Sequence, residues 1–421
     1  MKIINSTVSK PVYSYPFPQP QDKIAFFDIE TTGLSPNASS LYLIGLMRFD
    51  PNQNQWILCQ WFADNYQSEK KMIQNFLEAL ADVEFLYHFN GQTFDIPYLL
   101  KKCGRHAITP SAHCNKLLQD KSGTYSIDLL KKIRPLRHAL SLEKCRQAEC
   151  ERFLHLERTD SFSGADLIPV YSEYMQQKIL APDNAEKLEH VLLLHNHNDI
   201  EMMLNLCSLL TYEEYLSDTE TSCLFPEETQ KTLKAEQTST EQLTITFPLP
   251  AAVPKEITMY ACYPHSGIAE TEENKTGCPL PKASLTFQKE AAILKIPLYH
   301  GTLKFFFPDY KNYYYLPAED TAIHKSVSAF VDHAYRKKAT AATCYTKKEG
   351  TFLPDLCMAK KTAQETSENN LPVFFLQYKG KLLFYELTKE LLSNHGFWAG
   401  YLKNQLPCFK KQSYFLTVPN R

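Results

Sequence analysis

No run of about 18 uninterrupted apolar residues occurs in this 421-residue chain, which argues against a membrane-spanning helix. The opening, MKIINSTVSKPVYSYPFP, lacks the apolar core of a signal peptide. Net charge is nearly absent: 45 Lys and Arg against 47 Asp and Glu leave −2, so no overall basic field announces nucleic acid. A polyanionic partner must then be met by local patches or through a metal. The 12 cysteines form no regular framework, and no internal repeat at a fixed period is visible. Together these absences make a reducing cytoplasm the expected compartment. In CGRHAITPSAHC, the residues Cys103, His106, His113 and Cys114 carry zinc-binding atoms, but their spacing matches no closed zinc motif and they read as ordinary loop residues.

What is present is an α/β pattern. After a Pro-rich lead-in over 1–22, Ile24 to Glu30, Leu41 to Phe49 and Gln55 to Ala63 read as a three-strand meander. KKMIQNFLEALADV places Met72, Ile73, Phe76, Leu77 and Leu80 on one helical face. Glu84 to Asn90 is a short strand, a helix opens near Asp95, and Tyr125 to Leu130 reads as a last strand before further helices. The sheet is therefore expected to be mixed and five-stranded, flanked by helices, over residues 23–215. A polar linker is expected over 216–242, and a β-rich C-terminal domain with one or two helices, among them EDTAIHKSVSAFVDHAYRKK, over 243–421.

The first strand, IAFFDIETTGL, carries acids at Asp28 and Glu30. Residues two apart on a strand share a face, so the two carboxylates project together. Such a pair suits a divalent cation, and a solvated strand end is the competing reading. In HFNGQTFD, Asp95 sits at a helix start, where capping of the backbone is an alternative role. In HNHND, His195 and Asp199 are four apart and share a helix face, whereas His197 lies about halfway round.

Taken jointly, DIETTGL, HFNGQTFD and HNHND closely resemble the three motifs of the DEDD-superfamily RNase H-like 3′-5′ exonucleases, most of all the YprB-type branch. The resemblance covers roughly Lys23 to Tyr215, about half of the chain. It implies that Asp28, Glu30, Asp95 and Asp199 hold two divalent cations, Mg²⁺ or Mn²⁺, about 4 Å apart. It implies His195 as the base for the attacking water, Thr31, Thr32 and Gly33 as backbone contacts to a terminal sugar, and Leu34 as a wedge against the terminal base. Asn90 and Phe94 complete the second motif. The spacing departs from the family in one respect: its histidine usually stands five residues before the last Asp, where this chain has Leu194. Asp128 in YSIDLL matches a further acidic position, read as a strand-end residue or an outer partner.

The resemblance implies a metal-dependent nuclease that shortens single-stranded DNA or RNA from the 3′ end, in the absence of any membrane. A non-catalytic nucleic-acid-binding scaffold on the same fold is the alternative; the presence of all four carboxylates favours the enzyme. Endonucleolytic cutting at the same site is not separable by sequence. In the second half, KFFFPDYKNYYYLP together with Arg336, Lys337, Lys338, Lys347 and Lys348 combines aromatic rings with cations. This combination suits single strands, against a competing reading as an aromatic core with a solvated lysine face.

Overall fold

A computed structural model describes residues 1–160, 162–216, 232–249, 251–263, 280–356 and 371–412. The chain divides into two compact units, Met1–Glu213 and Glu214–Arg421. No helix among the described residues is long and apolar enough to cross a membrane.

The first unit is built on a mixed sheet of strands β1 (Lys2–Thr7), β2 (Ile24–Thr31), β3 (Leu41–Asp50), β4 (Gln55–Phe62), β5 (Phe85–His88) and β6 (Ser126–Asp128). Their spatial order is β1-β4-β3-β2-β5-β6. The first four pair antiparallel, while β5 and β6 run parallel to β2. The sheet thus has six strands, not five. The extra strand comes from the lead-in, whose Lys2 to Thr7 pairs with Phe62 to Ile57 and covers an edge that would otherwise present unpaired backbone groups. Its prolines fall after the strand, and Phe17 then packs on Phe26, Trp56 and Tyr87.

Helix α1 (Glu69–Ala79) buries Met72, Ile73, Phe76 and Leu77 on one stripe and sets Phe76 against Phe27 and Trp61. Helices α2 (Asp95–Arg105), α3 (Ala112–Leu118), α4 (Leu129–Ile133), α5 (Gln147–Phe153), α6 (Gly164–Leu180), α7 (Pro182–Leu206) and α8 (Leu210–Tyr215) follow. The last strand stops at Asp128 because that side chain caps α4, accepting from the Leu130 N–H at 3.0 Å.

α7 covers the sheet face opposite α1. Its buried stripe runs Leu192, Asn196, Ile200 and Met203, and Asn196 lies over Gly45. A Cβ on Gly45 would stand 2.3 Å from both Asn196 Oδ1 and Ile200 Cδ1. Gly45→Ala therefore pushes α7 off the sheet. We expect a loss of roughly 1–3 kcal/mol, the usual cost of overpacking, read as a lowered urea midpoint with unchanged slope; an unchanged midpoint would contradict this packing.

The second unit is β-rich. One antiparallel sheet orders β7 (Lys234–Ser239), β8 (Gln242–Pro248), β11 (Ala291–Pro297), β10 (Ala283–Phe287) and β9 (Ile257–Ala261). A second joins β12 (Tyr299–Phe306), β16 (Tyr345–Pro354), β18 (Phe384–Glu386) and β17 (Val373–Phe374). The third is small: β14 (Thr321–His324), β13 (Tyr313–Leu316) and β15 (Lys337–Lys338). Helices α9 (Lys389–Leu392) and α10 (His395–Gln412) close the described chain.

Two sequence expectations are corrected here. The end of the polar linker forms β7, paired to β8, while residues 217–231 lie outside the described residues. The helix expected around 319–338 is β14 followed by short turns. Thr321 and Ile323 are β-branched, Asp320 adopts φ 50° in the preceding hairpin, and Asp332 caps a tight turn through the Ala334 N–H.

Candidate metal centre

Strand parity does what the sequence implies. Phe26 points with its ring against Trp56 and Tyr87, and Asp28 and Glu30 follow on that same face, beneath α7. Asp28 pairs across to Gly45, and Gly45 to Gln60, so the three form a row. Asn196 reads that row. Its Nδ2 donates to Asp28 Oδ2 at 3.0 Å, and its Oδ1 accepts from Gln60 Nε2 at 2.9 Å. The small side of Gly45 lets it approach. A register shift between Glu30 and Thr31 ends the regular pairing just past the acids.

Asp95 arrives from the neighbouring connection. Phe94, not Asp95, is the N-cap of α2, and it makes no side-chain cap bond. The Asp95 carboxylate is instead buried and hydrogen-bonds its own backbone and that of Ile29. The capping alternative for Asp95 is therefore replaced by a tie to the acidic strand.

Asp199 comes from α7, where it is held by the Arg158 guanidinium, Nη2 to Oδ1 at 2.6 Å. Arg158 is itself fixed by the buried Glu151, donating from Nε at 2.5 Å and from Nη2 at 2.7 Å. One turn earlier on α7, His195 turns Nε2 towards Asp199 Oδ2 at 3.4 Å and Glu30 Oε1 at 3.9 Å. Its Nδ1 meets Asp160 Oδ2 at 2.5 Å, and Asn198 Nδ2 donates to the other oxygen of Asp160 at 2.5 Å. Because the carboxylate at Nδ1 can only accept, the ring proton sits at Nδ1 and the Nε2 lone pair faces the acids.

The electrostatics are those of an acidic cluster partly removed from water, with Glu30 and Asp95 buried and Asp28 and Asp199 half-buried. Burial holds Asp28 well above its ordinary range, and the charges of Asp95, Glu30 and Asp199 add to the rise. Burial raises Glu30 in the same way, followed by Asp199, Asp95 and Asp160. Burial carries Asp95 up to about 7. Asp199 is raised by burial despite the opposing charge and hydrogen bond of Arg158. Asp160 goes the other way: burial would raise it, but the hydrogen bonds from His195 and Asn198 outweigh burial and lower it.

The donor set fits a divalent cation. Glu30, His195 and Asp199 each offer one atom within 4.8 Å of the others, and the donors are carboxylate oxygens and one imidazole nitrogen. A cation among them would offset the burial, and the added repulsion, that hold Asp28, Glu30 and Asp95 above their ordinary range.

The remaining sequence candidates lie around this cluster. Thr31 Oγ1 donates to Gly33 O at 3.0 Å, and Thr32 Oγ1 accepts from the Ser40 N–H at 2.8 Å, so these residues shape the loop after β2. Leu34, at the tip of that loop, is 84% exposed. Asn90 takes φ 65° in the turn after β5, where its N–H donates to Asp128 Oδ1 and its side chain accepts from Thr93 Oγ1. Phe94 packs on Tyr98. Asp128 thus ties a turn and a helix start, and its charge adds to the rise of Asp95.

His197 faces away, between Ser6 and Glu201. His88 is buried and pushed down to about 4 by that burial; it accepts from the Gly91 N–H and reaches Ser126 Oγ. The four zinc-capable residues each have other company: His106 meets Glu69, His113 the Val83 carbonyl, Cys114 the Leu77 carbonyl, and Cys103 is core.

Sequence reading missed Asn196, Gln60, Arg158, Asp160 and Asn198. A signal existed for Asn196, a polar residue on an otherwise apolar helix stripe, and for Gly45, a glycine inside an apolar strand.

Residues 25–211 match the family model of the RNase_H superfamily. A DNA polymerase 1 of Sulfurisphaera ohwakuensis is 28% identical over 116 residues, which is 27% of this chain and 13% of the polymerase. Among solved structures, the family B DNA polymerase of the archaeon Pyrobaculum calidifontis is 12% identical with a TM-score of 0.36, over 73% of this chain and 39% of that one. E. coli exonuclease I in complex with a dT13 oligonucleotide is 13% identical with a TM-score of 0.25, over 56% and 54%.

Proposed function

We infer, from an RNase H superfamily domain over residues 25–211, that this chain is a metal-dependent nuclease acting on single-stranded DNA or RNA as a 3′-5′ exonuclease. The observation that carries the reading is the convergence of Asp28, Glu30, Asp95 and Asp199, each held above its ordinary range, beside the free Nε2 of His195. A fold kept only as a scaffold has no use for four crowded carboxylates, Glu30 and Asp95 buried and Asp28 and Asp199 half-buried, which cost stability.

The four carboxylates would hold two divalent cations, Mg²⁺ or Mn²⁺. When bound, such ions supply a water of lowered pKa and stabilise charge on the leaving oxygen. The chain's own residues do the rest. Asn196 and Gln60 fix the rotamer of Asp28, and Arg158 fixes that of Asp199. His195 receives the water proton at Nε2 while Asp160 holds the ring and stabilises its charged form. The loop over Thr31 to Gly33 offers backbone to the terminal sugar, and Leu34 offers an exposed apolar face to the terminal base. Cleavage of the last phosphodiester releases a nucleoside 5′-monophosphate.

Incubation with 5′-labelled and 3′-labelled single strands separates the modes. Stepwise shortening of the 5′-labelled strand with immediate release of 3′ label as mononucleotide is expected. Long internal fragments from the outset, or cutting of circular single strands, would favour the endonuclease.

Metal and proton should compete for the same cluster. The carboxyls that rise on folding contribute stability that is complete below their unfolded values near 4 and is lost as pH climbs through the folded ones, about 7 for Asp95. In EDTA the melting temperature is therefore expected to fall between pH 5 and pH 8, and Mn²⁺ is expected to raise it more at pH 8 than at pH 5. An equal rise at both values would contradict the cluster as the binding site.

A further inference from the structure

One face of the small sheet in the second unit is made of cations around an aromatic ring. Opposed positions share a face, and Ile323, Tyr314 and Lys338 are opposed. Lys325 and Arg336 lie two residues along the chain from Ile323 and Lys338. They bring Nζ and the guanidinium to 5.9 Å and 4.9 Å from the Tyr314 ring centre. Tyr313 and Tyr315 point the other way. The first stacks on Phe307 at 4.6 Å, and the second donates to Asp320 at 2.6 Å.

The segment joining β14 to β15 is held by Arg336, which donates to the Ser328 carbonyl and meets His333 at 2.8 Å. It leaves Phe330 91% and Tyr335 68% exposed. With Val327 at 51%, three large apolar side chains of this one short segment face solvent.

The charge is as uneven as the apolar surface. Residues 321–338 carry Lys325, Arg336, Lys337 and Lys338 against the single carboxylate of Asp332, in a chain of net charge −2. The sequence had grouped Lys347 and Lys348 with these cations. The structure neutralises both, Lys347 with Asp320 at 2.5 Å and Lys348 with Glu386 at 2.7 Å. Lys325, Lys337 and Lys338 are exposed and make no such pair among the described residues.

We propose that this face of the second unit binds single-stranded nucleic acid, with Lys325 and Lys338 on phosphates and with Phe330 and Tyr335 stacking on bases. Charge complementarity selects a polyanion, and exposed rings select one whose bases are unstacked. The inference deepens the nuclease reading, from which it takes the class of partner, by adding a second point of hold outside the acidic cluster.

The test measures binding without cleavage, using the full chain in EDTA and fluorescein-labelled oligothymidylate and oligouridylate of about 20 nucleotides, longer than common single-strand site sizes. Phe330→Ala with Tyr335→Ala is expected to weaken binding about tenfold or more, as loss of base stacking does. Lys325→Glu with Lys338→Glu is expected to weaken it and to flatten its salt dependence, while Lys325→Arg with Lys338→Arg keeps both. Duplex of the same length is expected to bind less tightly. Hydrolysis of a dinucleotide, too short to reach beyond the acidic cluster, is expected to stay at the wild-type rate in all these variants. Should the nuclease reading fail, wild type would leave the dinucleotide intact while the binding results stood. Wild-type affinity and salt slope in the Glu pair, or no effect of the Ala pair on either oligonucleotide, would overturn the proposal.

Discussion

Asp28→Asn is expected to lower phosphodiester hydrolysis by well over about a hundredfold, since loss of mere outer partners of a metal already costs about 10–100-fold. The same change is expected to leave the metal-free fold intact or to stabilise it. The amide that replaces the Asp28 carboxylate keeps an oxygen for the Asn196 Nδ2, which stands 3.0 Å from Asp28 Oδ2 in the wild type. It also removes one of the charges that push Glu30, Asp95 and Asp199 against each other. The two readouts separate two explanations. If activity falls because folding is lost, the melting temperature in EDTA at pH 8 falls with it. If it falls because a ligand is lost, the melting temperature holds or rises and the increment given by Mn²⁺ shrinks. Full activity in Asp28→Asn would remove Asp28 from the site.

His195→Ala is expected to reduce turnover by about 10²- to 10⁴-fold, the usual weight of a general base. KM and the melting increment from Mn²⁺ are expected to change little. The expectation rests on the ring's orientation: Nδ1 is engaged by Asp160, so Nε2 is the atom available to a water beside Glu30 and Asp199. Asp160→Asn should reproduce part of the loss, about 10–100-fold, because an amide can hold the wrong tautomer. Unchanged turnover in His195→Ala would rule it out as the base, and abolished Mn²⁺ stabilisation would make it a ligand instead.

How far the site was legible in sequence follows from which physical constraints are local. Strand parity is local, so Asp28 and Glu30 could be placed on one face from IAFFDIET alone. Asp95 and Asp199 lie on other elements, and only the joint motif pattern linked them to that face. Nothing local marks Asp160 or Arg158. They stand in the irregular chain between α5 and α6, whose path is set by tertiary packing, and their partners His195 and Asp199 are dozens of residues away.

The same division explains the fold. Periodicity found the meander and α1. It missed β1 because an edge strand with mostly exposed residues carries little alternation, and prolines later in the lead-in masked it. It mistook 319–338 for a helix because Ile323, Val327, Phe330 and Val331 fall at helical spacing. In the structure Ile323 pairs into β14, and Phe330 stays in solvent.

Wild type and Asp28→Asn, incubated with a 5′-labelled single-stranded oligonucleotide in Mg²⁺, in Mn²⁺ and in EDTA, test the metal-dependent nuclease most directly. A ladder of shortened products from wild type with either ion, absent in EDTA and absent from Asp28→Asn, is the expected result. Wild type inert on both DNA and RNA with either ion, or a ladder that survives EDTA or the substitution, would contradict it.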